Sequence, residues 1–312
     1  MTSAMTTNTL ELRSITKRFD GFTAVDQLSL SIPKGCVYGL LGPNGAGKTT
    51  SIRMMIGITV PDEGEVWMFG ETFRAQHLER IGYLPEERGL YKRMKVIELL
   101  IFFAQLKGVP RAEAEKRSRQ WLDRLELNGK WVTSKLEELS KGMQQKVQFI
   151  AALLHEPDFL IMDEPFSGLD PANARVLENV LLELRKAGKT ILFSTHRMDQ
   201  VERICDEITL VNHGKAVLQG VLRDVKASYG KSSVRMDYDG DSSFLQHKEL
   251  VQSFHDSGNS VELKLKPGAD SQKLLQLAAQ SARISRFELV EPSLEEIFID
   301  TVQGKAAGGQ NA

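Results

Sequence analysis

Cysteine is scarce: Cys36 and Cys205 are the only two in 312 residues, too few for a disulfide framework and without metal-ligand spacing. Both lie in apolar segments, which predicts buried free thiols in a reducing cytosol. Long hydrophobic runs are also missing. The longest, residues 99–104 and 149–154, fall far short of the roughly 20 residues that span a bilayer. Residues 1–10 are polar and threonine-rich, with no basic start and no apolar signal core. The chain is therefore expected to be soluble by itself, and any membrane role must come through a partner. Neither sign of charge dominates, with 40 lysines and arginines against 41 acids for a formal net charge of -1. Nucleic-acid binders usually carry a basic excess, so no nucleic-acid partner is expected. There is no internal repeat and no long coiled coil.

What the chain does contain is alternation. Residues 10–13 and 28–32 read as short strands, and the turn Pro33-Lys34-Gly35 leads into the apolar run 36–41. That run meets Gly42-Pro43-Asn44-Gly45-Ala46-Gly47-Lys48-Thr49, after which 50–56 reads as a helix. Further strands are expected over 66–69, 81–84, 159–162, 190–194, 208–211 and 216–218, the last two joined by a hairpin turn at Asn212-His213-Gly214-Lys215. Residues 96–127 have a helical, charge-rich pattern broken at Gly108-Val109-Pro110, and 175–186 also reads as helix. Strands alternating with helices predict an α/β fold whose mostly parallel sheet is covered on both faces. After about Leu222 the composition shifts. Strands are expected over 232–239, 261–266 (ending at Pro267-Gly268) and 284–290, with a helix over 272–279. Ser293-x-x-Glu296 forms a capping box before a last helix. The expectation is a small α+β appendage, followed by a loose tail over 305–312.

The segment from Gly42 to Thr49 matches G-x-x-x-x-G-K-[ST] between a predicted strand and a predicted helix. Glycines there let backbone N–H groups wrap phosphates, and the helix N-terminus adds positive character. Lys48 is expected to neutralise β- and γ-phosphate oxygens, and Thr49 to bind Mg²⁺ through its hydroxyl. Phe159-Leu160-Ile161-Met162-Asp163-Glu164 sets two carboxylates at the carboxyl end of a buried strand, where α/β sheets bind ligands. Asp163 is expected to hold Mg²⁺ through water, and Glu164 to polarise the attacking water as general base.

From these motifs onward, residues 9–222 resemble the ABC ATPase family. Leu139-Ser140-Lys141-Gly142-Met143 is similar to its signature segment, Ser167-Gly168-Leu169-Asp170 to its D-loop, His196 to its switch histidine, and Phe19 to the aromatic that stacks on adenine. The resemblance implies a P-loop NTPase domain over 8–222, with an antiparallel N-terminal β part and a helical subdomain at about 87–137. It implies ATP and Mg²⁺ as ligands. Phe19, Gly42, Pro43, Asn44, Gly45, Ala46, Gly47, Lys48, Thr49, Thr50 and Glu86 are implied as nucleotide-binding, with Lys141 and Asp170, while Ser140 and the Gly142 N–H would face the nucleotide of a second copy. Thr49, Asp163 and Glu86 would attend the metal; Glu164, His196 and Lys48 would carry catalysis. Ser140 and the Gly142 N–H, at a predicted helix start, suit an anion, so an ATP-dependent homodimer is implied.

Two segments depart from the family pattern. Lys141 and Met143 replace the usual glycine and glutamine of the signature, and Glu86 replaces the glutamine of the Q-loop. Lys141 either adds charge near the partner's phosphate or points into solvent. The basic stretch Arg88, Lys92, Arg93, Lys95, Lys107, Arg111, Lys116 and Arg117 brackets the insert, which in ABC subunits receives helices of a membrane permease. It reads either as attraction for that partner or an anionic leaflet, or as a solvated face. Pro292-Ser293-Leu294-Glu295-Glu296-Ile297-Phe298 makes residues 223–304 resemble the C-terminal extension of bacterial sodium-, antibiotic- and drug-export ATPases. That extension is expected to strengthen the dimer, regulate it, or simply pack.

The implied function is a bacterial transporter's ATPase subunit, peripheral on the cytoplasmic face of the membrane and driving export. A soluble ATPase acting on ribosomes or DNA is the rival, but such proteins carry two cassettes or a long coiled-coil insertion, and this chain has neither. A non-hydrolysing nucleotide-gated scaffold is a second rival, opposed by Glu164 and His196. A GTPase would need an N-K-x-D guanine reader, which is missing. His155 and His213 are expected at the surface, and Met54-Met55 in the core.

Overall fold

The computed structural model describes residues 8–302 except 88, 90, 230–232 and 267. The tail 305–312, residues 1–7, Arg88, Ser232 and Pro267 therefore lie outside the described residues. The chain forms two compact units, divided between Gly220 and Val221.

The first unit starts with a long hairpin, β1 (Asn8–Phe19) and β2 (Phe22–Pro33), turning at Asp20-Gly21. Both strands run well beyond the segments predicted at 10–13 and 28–32. Register shifts around Ile15 break the alternation of apolar and polar residues that marks a strand in sequence. Next come β3 (Val37–Leu41), α1 (Lys48–Met55), β4 (Glu63–Met68), β5 (Glu71–Thr72) and β6 (Ile81–Leu84). The helical insert is α2 (Val96–Leu106) and α3 (Arg111–Arg124), parted at Gly108-Val109-Pro110 as the proline requires. Then follow α4 (Lys141–Leu153), β7 (Phe159–Asp163), α5 (Pro171–Lys186), β8 (Thr190–Thr195), α6 (Met198–Ile204), β9 (Glu207–Asn212) and β10 (Lys215–Val221).

These strands make a four-stranded sheet, β2-β1-β4-β5, and a six-stranded sheet, β10-β9-β3-β8-β7-β6. In the second, β3 lies parallel to both β8 and β9, and β7 parallel to both β6 and β8. Every residue of β3, β7 and β8 is buried, as expected of central strands covered on two faces. Parallel register fixes where their ends fall: Leu41 pairs with Thr195, and Asp163 with Ser194. The loops after β3, β7 and β8 therefore leave the sheet side by side. Met54 and Met55, in the last turn of α1, are buried in the core, as expected.

Two predicted surroundings need correction. His155 is half-buried rather than at the surface, with its Nε2 2.9 Å from the Ile81 carbonyl oxygen. Cys36 is buried, but Cys205 is only half-buried as a residue. Burial nonetheless pushes the Cys36 thiol up to about 12 and that of Cys205 well above its ordinary value, so neither is a ready thiolate.

The second unit contains α7 (Leu222–Ser228), β11 (Ser233–Gly240), β12 (Val251–Asp256), β13 (Ser260–Leu265), α8 (Ser271–Ser281), β14 (Ala282–Val290) and α9 (Leu294–Val302). Its sheet has the order β12-β13-β11-β14 and is antiparallel throughout. Val234, Met236, Val261 and Leu263 pack with Leu274 and Ala278 of α8 into a separate core. The capping box of α9 forms as expected: Glu296 N donates to Ser293 Oγ at 3.2 Å, and Ser293 N donates to Glu296 Oε2 at 2.7 Å.

Candidate functional site

The loop from β3 to α1 is built around glycines that no other residue could replace. Gly42 has φ 151°, and a Cβ there would lie 2.2 Å from the Val211 carbonyl oxygen. Gly47 has φ 104°, with the Ala24 carbonyl oxygen 2.4 Å from its would-be Cβ. A side chain is thus excluded at both positions, and α1 starts directly behind the loop at Lys48. The Lys48 ammonium is nearly buried and donates to the carbonyl oxygens of Gly42 at 2.7 Å and Pro43 at 3.0 Å. Burial pushes its pKa below the usual lysine value, while Glu164, Asp163 and Glu86 oppose that shift.

The acids at the end of β7 have different surroundings. Asp163 is 1% exposed; Ser194 Oγ donates to its Oδ1, and its Oδ2 is buried with no hydrogen-bond partner. A buried carboxylate oxygen left unpaired is costly unless something else meets it. Glu164 takes the left-handed backbone conformation, φ 48°, and is 8% exposed. Its N–H donates to Ser194 Oγ at 3.1 Å. Its Oε1 accepts from His196 N at 3.0 Å and from His196 Nδ1 at 2.9 Å, and Thr195 Oγ1 lies 3.3 Å from its Oε2. A carboxylate only accepts, so His196 carries its proton on Nδ1.

A cavity of about 440 Å³ joins these parts. Its walls bring together Phe19, Asn44, Gly45, Ala46, Gly47, Lys48, Thr49, Thr50, Glu86, Asp163 and Glu164. Gly42 and Pro43 stand just behind it, as the acceptors of the Lys48 ammonium. Phe19 is 48% exposed at one end, where the Asp20-Gly21 turn pairs it with Phe22 at 63% exposure. Sequence reasoning missed Phe22, although an Asp-Gly dipeptide between apolar residues is a strong hairpin signal and would have placed it. It also missed Ser194 and Thr195, which hold the acids; nothing in a buried strand sequence marks them.

Ser140, Lys141, Gly142 and Asp170 do not line this cavity. Ser140 caps α4, its Oγ accepting from Met143 N at 3.2 Å, and is exposed together with Lys141. Asp170 caps α5, accepting from Asn173 N at 2.9 Å. Both helix starts therefore lie outside the chain's own cavity, with Ser140, Lys141 and Asp170 exposed.

The donor set also fits a divalent cation. An unpaired buried carboxylate oxygen, a neighbouring threonine hydroxyl and a second acid are the hard oxygen ligands Mg²⁺ takes.

A glycine cradle at a helix N-terminus, a buried lysine, and acids at the carboxyl edge of a parallel sheet define a nucleotide-binding P-loop cassette. The family description "ABC transporter" matches residues 25–167, and "ATP-binding protein DrrA1-3-like, C-terminal domain" matches residues 220–302. The ABC transporter ATP-binding protein YhaQ of Bacillus subtilis is 44% identical over 94% of this chain and 98% of its own. Nod factor export ATP-binding protein I of Ralstonia nicotianae is 39% identical over 68% of this chain and 66% of its own. A dimeric solved structure of MJ0796, a bacterial ABC transporter cassette, is similar with a TM-score of 0.64 and 25% identity over 69% of this chain and 99% of that one. The chain belongs to the ABC transporter ATP-binding proteins.

Proposed function

We propose that two copies of this chain close around two ATP molecules, hydrolyse them with Mg²⁺, and thereby drive a separate membrane permease that exports its substrate. The observation that carries the reading is Glu164, held between His196 and Thr195 on the cavity that Lys48 enters. A carboxylate fixed there takes the proton of the attacking water, and the His196 N–H groups keep its lone pairs aimed. Lys48 and the backbone N–H groups of the glycine loop hold the phosphate oxygens. Phe19 and Phe22 offer ring faces to the base. Asp163, Thr49 and Glu86 would hold Mg²⁺, which when bound neutralises phosphate charge.

Ser140 and the start of α4 are exposed outside the chain's own cradle, and this supports a sandwich in which they cap the partner's γ-phosphate. Asp170 would reach the same interface. The dimeric MJ0796 cassette supports that assembly. Among the described residues no helix is long and apolar enough to cross a membrane, so transport requires a second subunit. An apolar groove of about 430 Å³ between the six-stranded sheet and the insert, bordered by Ile58, Tyr83, Phe103 and Leu106, is the seat we assign to it. The ATPase domain is read as 8–222, with its helical subdomain at about 87–137 and the accessory domain at 223–304. Export is supported by the Nod factor export relative, and a place on the cytoplasmic face belongs to the same reading.

Glu164→Gln tests the reading. It is expected to lower hydrolysis by about 10²–10⁴-fold while leaving ATP bound, and Mg-ATP is expected to double the particle mass in light scattering. Hydrolysis at the unmodified rate would rule out Glu164 as the base. A particle that stays single would rule out the sandwich.

A further inference from the structure

Thr195 Oγ1 has more partners than one hydroxyl hydrogen can serve. It lies 3.3 Å from Glu164 Oε2 and 3.3 Å from Gln200 Oε1, and it accepts from Arg197 N at 3.1 Å. Gln200, on α6, is 1% exposed, and its Nε2 is buried with no hydrogen-bond partner. With the amide in this orientation, Thr195 must choose. A hydrogen given to Gln200 leaves two lone pairs facing each other between Thr195 and Glu164, and the amide nitrogen of Gln200 stays unpaired.

Oxygen and nitrogen of a carboxamide exchange places by a half-turn of the group. After that turn the Gln200 N–H donates to Thr195 Oγ1, which already accepts from Arg197 N. Both acceptor positions of the hydroxyl are then filled, and its single hydrogen has one destination, Glu164 Oε2. The orphaned nitrogen gains a partner by the same step, and the carbonyl oxygen takes the buried position it leaves.

We infer that Gln200 is a positioning residue: its side-chain amide donates to Thr195 and so commits the Thr195 hydroxyl to Glu164. The carboxylate is then gripped on both oxygens, Oε1 by His196 and Oε2 by Thr195. Without Gln200 the hydroxyl is free to rotate, and the carboxylate can swing about its remaining bonds. The inference rests on Glu164 as the base of ATP hydrolysis. It goes further by naming what holds that base and by giving a function to a buried glutamine outside every motif.

The test measures hydrolysis and nucleotide affinity on the full chain. Gln200→Leu, which keeps the volume without the amide, is expected to lower kcat about tenfold, the worth of one buried hydrogen bond to a charged group. KM and the affinity for ATP are expected to stay unchanged. Thr195→Val should match that loss, Thr195→Ser should recover most of it, and the double variant Gln200→Leu/Thr195→Val should fall no further than either single one. In a Glu164→Gln background, Gln200→Leu should have no additional effect on residual hydrolysis. Unchanged kcat in both single variants, or losses that simply multiply, would overturn the inference. If Gln200→Leu does not fold, the contrast between Thr195→Ser and Thr195→Val decides it: equal losses would overturn it. Full hydrolysis by Glu164→Gln would instead remove the underlying reading of the base.

Discussion

At the scale of single residues, the site uses burial to set charge. The half-buried His155 shows the same physics away from the cavity. Burial, assisted by Lys107 and Lys189, pushes its imidazole pKa below the ordinary value, against the opposing bond to the Ile81 carbonyl. The unfolded chain therefore takes up this proton first as the pH falls through about 6.5, while the folded chain resists until its own lower value. His155 consequently favours the folded state above that window, and the advantage declines as the pH drops through it. His155→Gln is expected to flatten the fall in Tm between about pH 7.5 and 5.5; an unchanged slope in thermal melts would refute this. The expectation that His155 sits at the surface failed because a lone histidine carries no periodic pattern. Only the fold brings the Ile81 carbonyl to it.

At the scale of elements, legibility followed periodicity and punctuation. The buried central strands were plain as unbroken apolar runs, the helical insert as a 3.6-residue pattern stopped at glycine and proline, and the capping box of α9 as a fixed short spacing. β1 and β2 were foreshortened because their bulges erase the period. β12 was missed because five of its six residues are exposed and its sequence, Val-Gln-Ser-Phe-His-Asp, has no buried face to announce. Within the site, the phosphate loop and the acids are short motifs and could be read directly, whereas Ser194, Thr195 and Gln200 matter only through parallel register. The cap of α4 separates two contributions of one residue. Ser140→Ala removes the bond to Met143 N and is expected to cost about 1 kcal/mol of stability. Ser140→Asp keeps a cap and suits the helix N-terminus, but it sets a negative charge where the partner's phosphate is proposed to lie. Its Tm is expected to hold while Mg-ATP no longer brings two copies together; ATP-driven pairing that survived in Ser140→Asp would contradict the sandwich.

At the scale of the whole molecule, the cavity proposed for chemistry and the groove proposed for coupling are different surfaces of the first unit. The cavity of Lys48 and Glu164 is polar, whereas the groove bordered by Ile58 and Leu106 is apolar, with those side chains 63% and 66% exposed. Charging the groove should therefore disconnect the machine without stopping it. Leu106→Glu is expected to abolish co-purification with the membrane subunit from detergent extracts and to leave hydrolysis by the isolated chain within about twofold, as for surface substitutions far from a site. Retained co-purification would move the docking surface elsewhere. On the proposed reading, hydrolysis depends on a single bend in the main chain. Because Glu164 turns left-handed immediately after β7, adjacent acids depart toward different company, Asp163 to Ser194 and Glu164 to His196. Two like charges that neighbour in sequence are thereby kept from sharing one environment. Adding or deleting one residue at this corner would exchange the surroundings of both, and no side-chain replacement could restore them. The length of β7 is for that reason as much a part of the proposed catalyst as the carboxylates at its end.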